Sequence, residues 1–150
     1  MSTKTETSAQ LIRHATLLLD VGDVTFLVDA MFSDLGTNPT IPNTPNDRRN
    51  PLVPMPNIEL SSDTVVVTHR HTDHFTEAAN AALDADVLLF CQPAEAEAFV
   101  EEGFSDVCPV DGDISSGDAT IRVSGSSIPK NRLETNSDGV LHLSPNSANR

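Results

Sequence analysis

A short run of β-branched residues that ends in a histidine cluster constrains the fold of this chain more than any other feature. The segment TVVVTHRHTDHF, residues 64–75, begins with apolar residues that do not alternate with polar ones. Such a run is typical of a strand buried on both faces, as in layered α/β sheets. The histidines follow at the carboxyl end of the predicted strand, where α/β proteins place their functional sites.

The segments around this strand predict the same fold class. LIRHATLLLDVGDVTFLVDA, residues 11–30, predicts two strands around a tight turn at Gly22-Asp23. FTEAANAALDA predicts a helix with Thr76 or Asp73 as its N-cap, and PAEAEAFVEEG predicts a second helix. DVLLFC, SDVCPV and DATIRVSG predict further strands. The order is a hairpin followed by strand, helix, strand, helix and strand, which indicates an α/β fold.

A proline-rich segment separates the hairpin from the histidine strand. Residues 30–57 contain six of the ten prolines and predict a long irregular loop. A loop of that length in a compact domain commonly forms a cover or wall for a site. We expect a disordered N-terminus over residues 1–9, one domain over residues 10–125, and a divergent, irregular tail over residues 126–150.

Charge and composition exclude several classes of partner. Nine basic and 22 acidic residues give a net charge of −13, which disfavours nucleic acid and anionic membrane surfaces. No apolar run is long enough to cross a membrane, and the polar start MSTKTETSAQ does not predict a secretory signal. Cys91 and Cys108 form no CxxC pair, so we expect a reducing, cytoplasmic environment.

The surface chemistry indicates one of two sources. An acidic chain with lysine only at Lys4 and Lys130 resembles proteins that stay soluble at high salt, such as those of halophilic archaea. The alternative is an ordinary acidic bacterial protein.

The spacing of the histidines predicts a metal site. His69 and His71 are two residues apart on an extended segment, so their imidazoles can face one ion together. Asp73 and His74 follow after a turn and can face a second ion beside the first. Imidazole and carboxylate donors suit Zn²⁺, and also Mn²⁺ or Fe²⁺. The alternative for these residues is a solvated, histidine-rich turn without a metal.

THRHTDH resembles the H-x-H-x-D-H signature of the metallo-β-lactamase superfamily of metal-dependent hydrolases, over roughly residues 10–125. The proline-rich loop is similar to that of the branch related to ascorbate-6-phosphate lactonase. The resemblance implies an αβ/βα sandwich of two halves, of which this chain is the N-terminal half, and a small-molecule substrate. It also implies that His69 and His71 bind the first of two ions, and that Asp73 and His74 bind the second. Asp73 would additionally orient or deprotonate the attacking water.

Other candidate residues receive structural interpretations. Asp29 matches an acidic residue common after the second strand of the superfamily, and we expect it to fix the histidine loop rather than to bind metal. We expect His14 to be packed and hydrogen-bonded inside a strand, and His142 to be exposed on one. Cys91 and Cys108 are expected to be buried thiols.

The family pattern is incomplete in this sequence. Complete members carry a further histidine, a bridging aspartate and another histidine in the second half, but the corresponding stretch here, GSSIPKNR, contains no histidine, and no GDT-like segment follows. Three interpretations remain: a hydrolase whose missing ligands come from another chain, a truncated and inactive relative that binds metal weakly, or an interaction module. Because the two helices can cover only one sheet face, we also expect a homodimer.

Overall fold

The fold is seen in a computed structural model that describes most of the chain. It describes residues 7–122, with the exception of residues 41, 42, 44, 46, 58, 59, 61 and 118. For residues 123–125 and 139–145 it describes the backbone only. The expectations for residues 1–6 and for the GSSIPKNR stretch after Gly125 lie outside the described residues.

Six strands form one mixed sheet, in which neighbours follow chain order. They are β1 (Thr7–Arg13), β2 (Thr16–Val21), β3 (Val24–Val28), β4 (Thr64–Val66), β5 (Leu88–Cys91) and β6 (Val107–Pro109). The first three strands pair antiparallel, and β3 to β6 pair parallel. The predicted order of a hairpin followed by alternating strands and helices is confirmed.

Two helices make the crossover connections. Helix α1 (Glu77–Ala82) joins β4 to β5, while a 3₁₀ turn (Pro93–Glu95) and helix α2 (Ala96–Glu101) join β5 to β6. Thr76 caps α1, because its Oγ1 accepts the backbone N–H of Ala79 at 3.2 Å. Of the two predicted N-caps, Thr76 is therefore the one that the structure selects.

The N-terminal segment contains one strand more than predicted. The hairpin at Gly22-Asp23 is confirmed: Val21 pairs with Val24, and Gly22 has the positive φ of 61° that the turn requires. The prediction that His14 lies inside a strand is wrong. The chain reverses at His14, which has a φ of 49°, so β1 and β2 are two antiparallel strands. A left-handed non-glycine residue leaves no sign in the strand propensity of its neighbours.

A second, three-stranded antiparallel sheet contains β7 (Asp113–Ser116), β8 (Ala119–Gly125) and β9 (Gly139–Pro145). Strand β7 was not predicted, and the apolar run that contains His142 is β9. The domain limits at residues 10 and 125 stay predictions, although β1 begins at Thr7 and β9 lies within residues 126–150.

The core has two parts, one on each face of the large sheet. On the helix face, Leu27, Val65 and Leu89 pack against residues that include Phe75 and Phe99. The opposite face is also covered, in contrast to the expectation of an open face. Its buried residues pack against the second sheet, in a cluster made of Val21, Phe26, Val28, Val66, Phe90, Val110, Ala119 and Ile121. The helices were expected to be the only cover, because β8 was predicted as a strand but its place in a second sheet was not foreseen.

Within the part of the chain that the structure describes, no helix is long and apolar enough to cross a membrane.

Candidate metal centre

The histidine loop begins where β4 ends and is fixed on both sides. The N–H of Val67 bonds to the carbonyl of Phe90 at 2.9 Å, and the N–H of Asp29 bonds to the carbonyl of Val66 at 2.9 Å. The central position of β4 in the sheet thus gives the loop a rigid base.

A tight turn then returns the chain towards α1. The carbonyl of His71 accepts the N–H groups of His74 at 2.9 Å and of Phe75 at 2.8 Å. Phe75 is buried, and its ring packs edge-to-face on Phe99 with centroids 5.3 Å apart. Burial of this ring holds the preceding histidine and aspartate at the surface of the loop.

Three donor groups meet on this loop. One ligand atom from each of His69, His71 and Asp73 lies within 4.8 Å of the others. The set of two imidazoles and one carboxylate fits the metal that the family resemblance implies, since three protein donors with an open position are typical of catalytic zinc. Asp73 therefore lies with the two histidines of the predicted first position, and not only beside His74.

Asp29 organises the loop from the neighbouring strand end. Its Oδ1 accepts the backbone N–H of Thr68 at 2.8 Å, and its Oδ2 accepts the hydroxyl of Thr68 at 2.7 Å. Nδ1 of His74 lies 2.8 Å from the same Oδ2. Because a carboxylate only accepts, His74 carries its proton on Nδ1 and leaves Nε2 free for a metal.

Thr68 fixes the tautomer of His69, as Asp29 does for His74. Its single hydroxyl proton is donated to Asp29, so the oxygen can only accept from Nδ1 of His69, 3.1 Å away. His69 is thereby protonated on Nδ1 and presents the lone pair of Nε2. The carbonyl of Thr68 is held in turn by Nε2 of Gln92 at 2.5 Å.

The electrostatics of the two histidines differ. Burial lowers the pKa of His69, and the neighbouring His74 and His71 lower it further. Burial also acts to lower the pKa of His74, but the hydrogen bond to Asp29 and the charges of Asp29 and Asp73 outweigh it, so that this pKa is raised. The lowered pKa of His69 favours the neutral imidazole, which is the form that binds metal.

The proline-rich loop forms one wall of the site, as predicted. An open pocket of about 550 Å³ is lined by loop residues that include Asn38 and Thr40, and by His71 and Asp73. Nδ2 of Asn38 donates to the carbonyl of Thr72 at 3.0 Å, which ties the loop to the metal-binding turn.

The residue between the two histidines points towards α2. The guanidinium of Arg70 pairs with Glu102 and lies 5.5 Å from the ring centre of Phe99, and its backbone N–H donates to Glu95 at 2.8 Å. The side chain of Arg70 is thus anchored to Glu102 at the end of α2, and Arg70 also lines the pocket beside His71.

Buried Arg13 is a structural residue that the sequence did not reveal. Its guanidinium donates to the carbonyls of Met31 at 2.9 and 2.6 Å and of Val53 at 3.1 Å, and also to that of Ser33. It therefore fixes both ends of the proline-rich loop. Thr68 and Gln92 were missed as well, because only the spatial pairing of strands brings them to the histidines.

The remaining predicted residues are distributed as follows. Cys91 is buried and Cys108 is half-buried, and both are free thiols on adjacent strands. His142 lies on β9, where the structure describes the backbone alone. His14 lies on the β1–β2 turn beside the pocket, and not in the packed position that was expected.

Comparisons with known proteins identify the class. No family model matches the chain. The UPF0173 protein YddR of Bacillus subtilis (strain 168) is 38% identical over 102 residues, which is 64% of this chain and 40% of that protein.

Two solved structures are also similar. A possible metal-dependent hydrolase from Veillonella parvula matches with a TM-score of 0.72 and 30% identity, over 82% of this chain and 49% of that one. An isothiocyanate hydrolase from Delia radicum gut bacteria matches with a TM-score of 0.67 and 29% identity, over 79% and 47%. This chain spans less than half the length of each of these three proteins.

The fold is that of metal-dependent hydrolases with the metallo-β-lactamase fold, which confirms the resemblance read from H-x-H-x-D-H. Among these proteins, the chain is a homologue of the UPF0173 protein YddR.

Proposed function

We propose that this chain carries the metal-binding half of a metal-dependent hydrolase that acts on a small-molecule substrate. The observation that supports this proposal is the meeting of His69, His71 and Asp73 donor atoms within 4.8 Å, at the carboxyl end of a central parallel strand. When bound there, Zn²⁺, or alternatively Mn²⁺ or Fe²⁺, supplies Lewis acidity that polarises a carbonyl or phosphoryl oxygen and acidifies water.

Different residues of the chain have different roles in the proposed reaction. His69, His71, Asp73 and His74 hold the ion or ions, and the tautomers set by Asp29 and Thr68 direct Nε2 of His69 and His74 towards them. The Asp73 side chain is 43% exposed at the pocket, so its carboxylate can also orient a water molecule and accept its proton. Asn38 and its loop form one wall of the pocket.

The substrate class is proposed from the family branch and from a structural neighbour. Lactones and phosphodiesters follow from the resemblance, and an isothiocyanate is included because one neighbour is an isothiocyanate hydrolase. All three contain an electrophilic carbon or phosphorus centre that a metal and an activated water can attack.

The test is hydrolysis by the purified chain after loading with zinc or manganese. We expect turnover of at least one of a lactone, a phosphodiester or an alkyl isothiocyanate, with loss of activity on chelation and in Asp73→Asn. Asp63→Asn is the matched control, because Asp63 is an exposed carboxylate that bonds the N–H of Thr25 far from the cluster. Equal turnover in the chelated and metal-loaded protein would contradict the proposal.

A complete two-ion site needs more donors than the histidine loop provides, and we propose that a second copy or a complementing chain supplies those that this chain's own residues do not. Native mass and metal content, measured together at increasing protein concentration, test this. Metal uptake that does not change with assembly would contradict it.

The second candidate function is that of a catalytically inactive, weakly metal-binding or protein-interaction module. It is supported by the origin of the cluster in a single stretch, residues 69–73, next to an open pocket. Metal binding without turnover of any of the three substrates would favour it.

We also propose a cytoplasmic location, since both described cysteines are free thiols.

A further inference from the structure

His14 occupies a strained position beside the metal cluster. Its φ of 49° lies in the left-handed region, which is unfavourable for a non-glycine residue and persists only where the surroundings enforce it. The neighbouring Arg13 is fixed by its buried hydrogen bonds, which anchors the turn. The turn places the side chain of His14 in the pocket lining with His71 and Asp73.

The distances from the Asp73 carboxylate to two histidine nitrogens are those expected between ligands of one metal ion. Oδ2 of Asp73 lies 3.5 Å from Nε2 of His14 and 3.5 Å from Nε2 of His74. These separations are longer than an ordinary N–H···O hydrogen bond of about 2.7–3.2 Å. They match the spacing of two ligands on one tetrahedral zinc ion, which is about 3.4 Å for bonds of about 2.0–2.1 Å.

We propose that His14 is a metal ligand, and that His14, Asp73 and His74 form a second position for a divalent cation beside that of His69 and His71. The proposal rests on the metal site of the proposed function and deepens it. Asp73 is then shared between the two positions. His14 supplies the third protein donor that the H-x-H-x-D-H motif alone does not give to the second ion.

The surroundings of His14 favour this role over simple packing. The rings of His14 and His74 stand edge-to-face with centroids 6.3 Å apart. The His14 side chain is 30% exposed, so it can rotate towards an ion without disturbing the core. Nε2 of His74 is available because its Nδ1 is engaged by Asp29.

The test compares metal stoichiometry and affinity in the wild type and in His14→Asn. Asparagine tolerates the left-handed turn but is too short to reach the ion, so the variant separates ligation from folding. His14→Gly is a second variant with the same logic, because glycine also relieves the strain. Asp63→Asn is the control, because Asp63 is exposed, bonds the N–H of Thr25 and does not line the pocket.

Zinc binding is followed by calorimetry and by elemental analysis after dialysis, and Co²⁺ absorption spectra are recorded at one and two equivalents. We expect two ions per chain in the wild type and in Asp63→Asn. In His14→Asn and His14→Gly we expect one ion, or a second ion bound at least about tenfold more weakly, with an altered spectrum at the second equivalent and no loss of melting temperature.

The outcomes separate this proposal from the proposed function. Equal stoichiometry, affinity and spectra in the wild type and both His14 variants would overturn the role of His14 and leave the hydrolase site standing. A lower melting temperature in both variants with unchanged metal binding would show that His14 is structural. A wild-type chain that binds no metal would overturn both proposals.

Discussion

Asp29 and His74 lie 45 residues apart in the chain, and the Oδ2 of the first is 2.8 Å from the Nδ1 of the second. Asp29 adopts a φ of 49° directly after β3, and its carboxylate also receives the N–H and hydroxyl of Thr68. One strained, buried aspartate therefore sets the conformation and the tautomers of the histidine loop, which links the order of the sheet to the chemistry of the site.

Asp29→Asn tests this link. An amide cannot accept from His74 and both Thr68 donors in the same way, so the histidine loses its fixed tautomer. We expect metal affinity to fall about 10- to 100-fold, as is typical when a partner of a metal-binding histidine is lost. Calorimetric titration with zinc measures it, and Asp63→Asn should bind like the wild type. Unchanged affinity in Asp29→Asn would show that the loop keeps its geometry without this carboxylate.

Much of this arrangement could be predicted from the sequence, because the information is local. The apolar run before His69 predicts a buried strand, and the i, i+2 spacing of His69 and His71 predicts convergent imidazoles. The contact between Asp29 and Thr68 spans 39 residues and depends on the parallel pairing of β3 with β4, which no local pattern specifies. Likewise, the reversal at His14 rests on one left-handed residue within a strand-like run.

Arg13 makes a second prediction, about stability. The side chain is buried, and its removal leaves the carbonyls of Met31, Ser33 and Val53 without their donors. We expect Arg13→Ala to lower the free energy of unfolding by about 3 kcal/mol in urea titrations. Arg122→Ala is the control, since Arg122 is exposed and pairs with Asp113 at the surface, so its midpoint should stay near that of the wild type. Equal midpoints for the two variants would contradict the role of Arg13.

The two cysteines should differ in reactivity. Burial raises the pKa of the Cys91 thiol to about 12, and the charge of Glu95 adds to the effect, so almost no thiolate forms up to pH 9. Cys108 is partly exposed. We expect iodoacetamide to label native protein once, at Cys108, and to label Cys91 only after unfolding, as measured by peptide mass spectrometry. The variant Cys108→Ser should incorporate no label in the native state, and labelling of native Cys91 would contradict its burial.

Salt should stabilise the protein. With a net charge of −13, carboxylates repel one another in dilute buffer, and salt screens that repulsion. We expect the melting temperature to rise by more than about 5 °C between dilute buffer and molar potassium chloride. A melting temperature that does not depend on salt would remove the halophilic interpretation and favour the ordinary acidic bacterial protein.

Zinc binding to the wild type and to the double variant His69→Ala/His71→Ala tests the central claim most directly, because these residues supply two of the three donors that meet within 4.8 Å. Calorimetry on metal-free protein, with circular dichroism to confirm that both chains fold, gives the comparison. The metal site described above predicts saturable zinc uptake by the wild type and loss of the ion held by His69 and His71 in the double variant. Equal uptake by the two folded proteins would contradict it and would place any metal elsewhere on the chain.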